Sequence, residues 1–348
     1  MAEDVAGTGA ADLDIDALSR WMDEQGFPGA GDRVRTRTLA GGSQNELHEL
    51  DRGGRRYALR RPPAYGVDGR AKALMREAQL LRALADSDVP HARLRGVSAD
   101  DSVLGTPFYV MDFVEGWSPT QGWAAPFDTD LTARAGLAVE LVDGIARLST
   151  VDWQARGLGS FGKPDGFLDR QVDRWLKHLS TFQFRDLPGV DEAADWLRNN
   201  RPRASAPGIM HGDYQFANVM FAPGSEPKLA AIIDWEMTTV GDPLLDLGWA
   251  LLAWGPEGDD MEHLRYLDYA GLPARDDLLE HYATVSGRDV TDIDYYVVLA
   301  RFKLGIILES SVARFVSGTA DDRVARFGPM PPELLRKAAS LSASTTLR

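Results

Sequence analysis

The 348-residue chain contains no cysteine. A disulfide scaffold, an iron–sulfur cluster, a thiolate zinc site and a cysteine nucleophile are therefore excluded. It also lacks any uninterrupted apolar run approaching the roughly 18–20 residues that a membrane-spanning helix needs, so no membrane partner is expected. The opening MAEDVAGTGAADLD has neither the basic n-region nor the apolar h-region of a secretory signal, and a cytoplasmic location is expected. Basic residues are in deficit. The 38 Lys and Arg against 52 Asp and Glu give a net charge of −14, which speaks against nucleic acid as a partner. A cationic small molecule would suit that charge, although an acidic excess also serves solubility alone. What is present is ordinary globular material, 44% hydrophobic and 26% charged, enough for one large or two modest domains.

Punctuation along the chain predicts two lobes. Residues 1–14 read as a disordered tail. An amphipathic helix is expected over 15–25, stopped by Gly26 and Pro28. Strand-like runs follow at 34–39, 47–50 and 56–61, the last ended by Pro62-Pro63, then a helix at 71–85. Val103 and the apolar run 108–113 read as two more strands, the second central. Glu115-Gly116 with Pro119 and Pro126 marks a linker. Beyond it, helices are expected along Leu137, Leu141, Ile145 and Leu148, at 167–179, and at 244–254, 276–284 and 292–316. Short strands at 219–221 and 229–233 interrupt them. The organisation is thus a lobe at 15–114 and a larger helical lobe at 115–348.

Chemistry concentrates in His211-Gly212-Asp213-Tyr214-Gln215-Phe216-Ala217-Asn218 and in Ile232-Ile233-Asp234-Trp235-Glu236. An Asp and an Asn five positions apart precede one strand, and a second Asp ends the next. Hard divalent cations take oxygen ligands, few from protein and the rest from water and phosphates. Phosphoryl transfer needs that inventory together with a carboxylate to accept the hydroxyl proton.

The order Asp, Asn, later Asp matches the kinase catalytic-loop and metal-Asp arrangement, with His-Gly-Asp for His-Arg-Asp and Asp-Trp-Glu for Asp-Phe-Gly. The pattern resembles the aminoglycoside phosphotransferase and choline kinase superfamily. Arg60-Arg61-Pro62-Pro63, Gly159-Ser160-Phe161-Gly162-Lys163-Pro164 and Arg170-Gln171 look like the phosphotransferase domains related to those fused to acyl-CoA dehydrogenases, over roughly residues 30–320. The resemblance implies an α+β, bilobal protein-kinase-like fold, with a small antiparallel-sheet N-lobe and a larger mainly helical C-lobe. It implies Asp213 as catalytic base, Asn218 and Asp234 as Mg²⁺ ligands, His211 and Asp246 as braces, and ATP as phosphoryl donor. The implied acceptor is a hydroxy acid or hydroxyacyl compound rather than an aminoglycoside.

In the kinase mechanism a basic residue of the third strand, paired with a helical Glu, holds the α- and β-phosphates. Tyr57-Ala58-Leu59-Arg60 stands at that place, so Arg60 occupies the lysine position, with Arg61 the alternative if the register shifts by one. Guanidinium grips phosphate in a bidentate fork, which makes the exchange chemically credible. Glu77 is its natural partner on the following helix. Gly42 and Ser43, in the loop between the first two strands, are candidates for a phosphate-covering turn. Asp112 and Val114 lie where the superfamily's hinge would bond adenine. Arg301, Lys303 and Arg314 could meet an anionic acceptor.

Two readings compete with a small-molecule kinase. A catalytically weak nucleotide-binding regulatory module is suggested by the lysine-to-arginine exchange. A protein kinase is disfavoured, because Gly241-Asp242-Pro243 follows Asp234 within ten residues and no Ala-Pro-Glu segment is present. Oligomeric state is not indicated.

Overall fold

The computed structural model describes residues 13–39, 45–63, 69–120, 122–203, 205–254 and 266–345. The chain divides into two compact units, one of residues 1–115 with 233–236 and one of 116–232 with 237–348. The expected α+β class holds.

The first unit contains α1 (Ile15–Glu24), β1 (Arg35–Leu39), β2 (Glu46–Arg52), β3 (Arg55–Arg61), α2 (Arg70–Leu84), β4 (Leu94–Ser98) and β5 (Phe108–Asp112). Its five strands form one antiparallel sheet in the order β1-β2-β3-β5-β4. Asp14, which the sequence assigned to the tail, caps α1 by accepting from the Ala17 N–H at 2.8 Å, and Leu13 is buried beside it. Residues 1–12 lie outside the described residues. One face of α1, carrying Leu18, Trp21 and Met22, packs on Leu50, Tyr57, Leu59, Phe108 and Val110. Burying such side chains stabilises by about 1.5–3 kcal/mol each.

Side chains alternate across a strand. Since Tyr57, Leu59, Phe108 and Val110 join the α1 core, Arg60 and Tyr109 project from the opposite face. The two are register partners on β3 and β5. That alternation delivers Arg60 to α2.

One strand was misplaced by the sequence reading. Val103 lies in a turn, and the fifth strand is instead β4, whose Leu-Arg-Gly-Val-Ser carries little apolar signal. Its pairing with β5 shifts register between Leu94 and Gly96. A Cβ at Gly96 would lie 2.8 Å from the Trp21 ring, so close packing under an indole, rather than strand propensity, selects this residue.

The second unit comprises α3 (Leu131–Thr150), α4 (Gln171–Leu179), α5 (Val190–Asn199), β6 (Gly208–Met210), β7 (Val219–Phe221), β8 (Leu229–Ile232), β9 (Thr239–Gly241), α6 (Leu244–Ala250), α7 (Arg275–Ser286), α8 (Ile293–Val316) and α9 (Met330–Ser344). β6 pairs with β9 and β7 with β8, both antiparallel. Helix α8 is apolar on nearly every side and packs against α4, α5, α6 and α9, as a helix without a polar face must. The expected helices at 167–179 and 244–254 each divide into an α-helical part and a short 3-10 turn. The sequence reading passed over α5 and α9. The buried face of α5 includes two small alanines, and the first turn of α9 carries Pro331, tolerated where backbone N–H groups have no helical partner. Among the described residues no helix is long and apolar enough to cross a membrane.

Candidate active site

In the first unit, Arg60 Nη1 donates to Glu77 Oε1 at 2.9 Å, and Arg60 Nη2 lies 3.6 Å from Asp234 Oδ1. Glu77 is 3% exposed. Burial opposes the Arg60 charge, but Glu77, Tyr109, Asp234 and Glu236 outweigh it and hold the guanidinium above its ordinary range. The same burial pushes the Glu77 carboxyl up, with Arg60 pulling against it. Arg61 bonds Glu46 at 2.7 Å on the other face, so of the two arginines it is Arg60 that meets Glu77. Asp234 follows β8 and is the one non-glycine residue with positive φ (+63°) among the described residues. This left-handed backbone is uncommon outside glycine, though Asp is among the residues that tolerate it. The carboxylate stays 44% exposed.

In the second unit, β6 leads into the loop carrying the sequence motif. Gly212 has φ +92°, and a Cβ there would come within 2.6 Å of the Met237 carbonyl oxygen, so glycine alone fits. The buried Asp246 carboxylate, at the start of α6, accepts the His211 N–H at 2.5 Å and the Gly212 N–H at 2.8 Å. Asp213 N–H then donates to His211 Nδ1 at 3.3 Å. The Asp213 carboxylate accepts from Gln215 Nε2 at 2.9 Å and from Asn218 Nδ2 at 2.8 Å. Asn218 Nδ2 also reaches the Asp213 carbonyl at 2.7 Å, which turns the amide oxygen away from Asp213. Burial raises the Asp213 pKa, while His211, Asn218, Gln215 and Trp249 favour its charged form. Asp246 is likewise raised by burial, with His211, the two backbone donors and Lys303 opposing. Below the loop, Tyr214 OH donates to the Leu141 carbonyl of α3 at 2.8 Å.

The model of the phosphotransferase enzyme family matches residues 35–281. The chain belongs to that family. A candidate aminoglycoside phosphotransferase from Ralstonia eutropha, known from its crystal structure, is 30% identical, with a TM-score of 0.81 over 95% of this chain and 99% of that one. An aminoglycoside phosphotransferase APH(4)-Ia variant, solved in a ternary complex with ADP and hygromycin B, shares the fold at 14% identity, with a TM-score of 0.58 over 95% of this chain and 99% of its own. Acyl-CoA dehydrogenase family member 11 of Gallus gallus is 28% identical across 89% of this chain and 40% of its own length. The chain thus spans about two fifths or less of the first curated relatives it matches. The protein-kinase-like fold and the resemblance to phosphotransferase domains of acyl-CoA dehydrogenase relatives, both expected from the motifs, hold.

In this member of the family, Arg60, Glu77 and Asp234 come together in one unit, and Asp213 and Asn218 in the other. Gly42 and Ser43 lie outside the described residues. Asp112 is committed by its side chain to Arg95, in two bonds of 2.6 Å, and by its N–H to the Arg93 carbonyl. Val114 is half-buried just beyond β5. Arg301 and Lys303 are buried in α8, and Arg314 Nη2 donates to Ser311 on the same helix.

Beside the motif loop lies a cavity of about 600 Å³, lined by Gln215, Phe216 and Ala217 of the loop and by residues including Trp249, Leu304, Leu308 and Phe327. Arg326 is the single charged residue among the described residues that line it. The sequence reading did not single out Arg326, Tyr109 or Tyr266, whose OH accepts the Ala217 N–H at 2.7 Å. None sits in a motif, and an apolar wall is visible in sequence only as more core.

Proposed function

We propose that this protein is a small-molecule kinase that moves the γ-phosphoryl group of ATP to an acceptor hydroxyl. Asp213 accepts the hydroxyl proton, the acceptor oxygen forms a bond to γ-phosphorus, and the bond to the β-phosphate bridging oxygen breaks to release ADP. Gln215 and Asn218 hold the Asp213 carboxylate in one orientation, the preorganisation that general-base chemistry requires. Arg60, fixed and charged by Glu77, grips the donor phosphates.

Asn218 and Asp234 suit a magnesium ion by donor chemistry. The Asn218 amide oxygen is directed away from Asp213, and the Asp234 carboxylate is partly open to solvent. Magnesium takes few protein oxygens and fills its shell with water and phosphate. Bound there, it would neutralise phosphate charge.

The acceptor is a hydroxy acid or hydroxyacyl compound. The observation carrying this choice is the cavity beside the Asp213 loop, apolar in its walls, with Arg326 its one charge among the described residues. Such a surface takes an aliphatic chain with an anionic end and offers a polycation nothing to pair with.

The test is ADP release from magnesium-ATP with 10-hydroxydecanoate, a hydroxyacyl thioester and kanamycin as acceptors. Turnover of the first two, abolished by Asp213→Asn, is expected. Preference for kanamycin would overturn the acceptor class, and an unaffected Asp213→Asn would remove the base.

A further inference from the structure

Glu309 is 0% exposed, on a helix, α8, whose buried positions are mostly apolar. A glutamate accepts such burial only when it is paired. Its partner is Arg185, a half-buried residue in the connection between α4 and α5. Arg185 Nε lies 2.9 Å from Glu309 Oε1 and 3.1 Å from Oε2, and Nη2 donates to Oε2 at 2.5 Å. Among the described residues the carboxylate has no other partner. Arg185 Nη2 also donates to the Gly328 carbonyl at 2.9 Å. One guanidinium therefore ties α8 to the residue that ends the short 3-10 turn 322–327. The Gly328 N–H bonds the Ala325 carbonyl at 3.0 Å, so Arg326 and Phe327 stand inside a closed turn whose last residue Arg185 holds.

Both parts that Arg185 joins line the cavity beside the Asp213 loop. Helix α8 contributes Leu304 and Leu308, and the turn contributes Arg326 and Phe327. Arg326 pairs with no carboxylate among the described residues, and its guanidinium carbon lies 4.8 Å from the centre of the Phe327 ring. Packing alone does not call for the buried ion pair behind this wall. Apolar side chains of similar volume are often as stable or more so in such a place. What they lack is direction. A fork of charge-assisted bonds fixes its partners in angle as well as in distance.

We propose that Arg185 is a positioning residue for acceptor choice. By binding Glu309 and the Gly328 carbonyl together, it fixes the turn that presents Arg326 to the anionic end of the acceptor. The role rests on the reading of the cavity as the acceptor site. Arg185 acts through Arg326, setting where that charge stands relative to the apolar wall from α8.

The test follows ADP release from magnesium-ATP by the full chain, with 10-hydroxydecanoate and its methyl ester as acceptors. The ester keeps the chain and the hydroxyl and lacks the charge. Wild type should show the lower KM for the acid, and Arg326→Met should abolish that difference. Arg185→Met alone strands the Glu309 carboxylate, so the pair is removed together as Arg185→Met with Glu309→Met. In this variant the KM for 10-hydroxydecanoate should rise about tenfold, the worth of one well-placed charge-assisted hydrogen bond, with the KM for the ester and for ATP unchanged. Should the pair variant fail to fold, as judged by circular dichroism, Arg185→Lys decides. It keeps Glu309 paired but gives up the fork, and should raise the same KM alone by severalfold. In an Arg326→Met background the deciding variant should cost nothing further. An acid preference that survives in the deciding variant, a KM raised equally for acid and ester, or a further rise in the Arg326→Met background overturns the proposal. A wild type without acid preference, or Arg326→Met that retains it, would instead remove the anionic-end reading of the cavity, and the positioning role falls with it.

Discussion

The two clusters of candidate residues, one in each unit, are stabilised by opposite means. The Arg60 cluster of the first unit is built on charge pairing: Arg60 against Glu77, with Asp234 and Glu236 adding to the field. The Asp213 loop of the second unit gathers the half-buried Asp213 and the buried Asp246 carboxylates and satisfies them chiefly with neutral N–H donors. A charge pair is broken by removing either member, since the survivor is left charged in a poorly solvated place. A carboxylate held by amides depends on the direction of its donors, so its failures are losses of aim.

That contrast can be broken at four points. The largest effect is expected at the proposed base, Asp213. Asp213→Asn keeps the shape but leaves one acceptor for two N–H donors and cannot accept a proton, and kcat should fall by about 10²–10⁴ in steady-state turnover. Next is the charge pair. Arg60→Met leaves Glu77 buried without its cation, so chemical denaturation should show a loss of about 3–5 kcal/mol together with weakened nucleotide binding, whereas Arg60→Lys should weaken nucleotide binding with little change in stability. Asp246→Asn offers one good acceptor where two N–H groups converge. It should cost about 1–3 kcal/mol in denaturant unfolding and lower kcat without changing the KM for ATP.

The smallest effect has an inverted sign. The folded-state pKa of Lys303 is lowered to about 8, so between pH 8 and its ordinary 10.5 the unfolded chain binds the extra proton and this group's contribution to stability rises with pH. At pH 7 the buried charge is a cost. Lys303→Met should therefore be more stable than wild type by about 1–3 kcal/mol at pH 7, in melting experiments, with the gain shrinking from pH 8 to 10.5.

The site was legible to different depths in its two halves. Asp213, Asn218 and Asp234 stand at a spacing that phosphoryl transfer makes intelligible, and Arg60 with Glu77 followed from strand and helix order. Legibility failed where a residue acts through packing. Lys303 read equally as a charge that could meet an anionic acceptor and as a surface residue, whereas it is buried beside the Trp249 and Trp175 rings. Strand β4 failed similarly, since pairing with β5 and the Trp21 ring define it.

Order along the chain, alternation within strands and helical spacing were enough to specify a sheet unit, a helical unit and the ordered set Asp213, Asn218 and Asp234, because those signals are local. Which face of β3 meets α2, which carboxylate braces the Asp213 loop and which rings lie against Lys303 were settled by folding. Those depend on side chains that are remote along the backbone and become neighbours when apolar surface is removed from water.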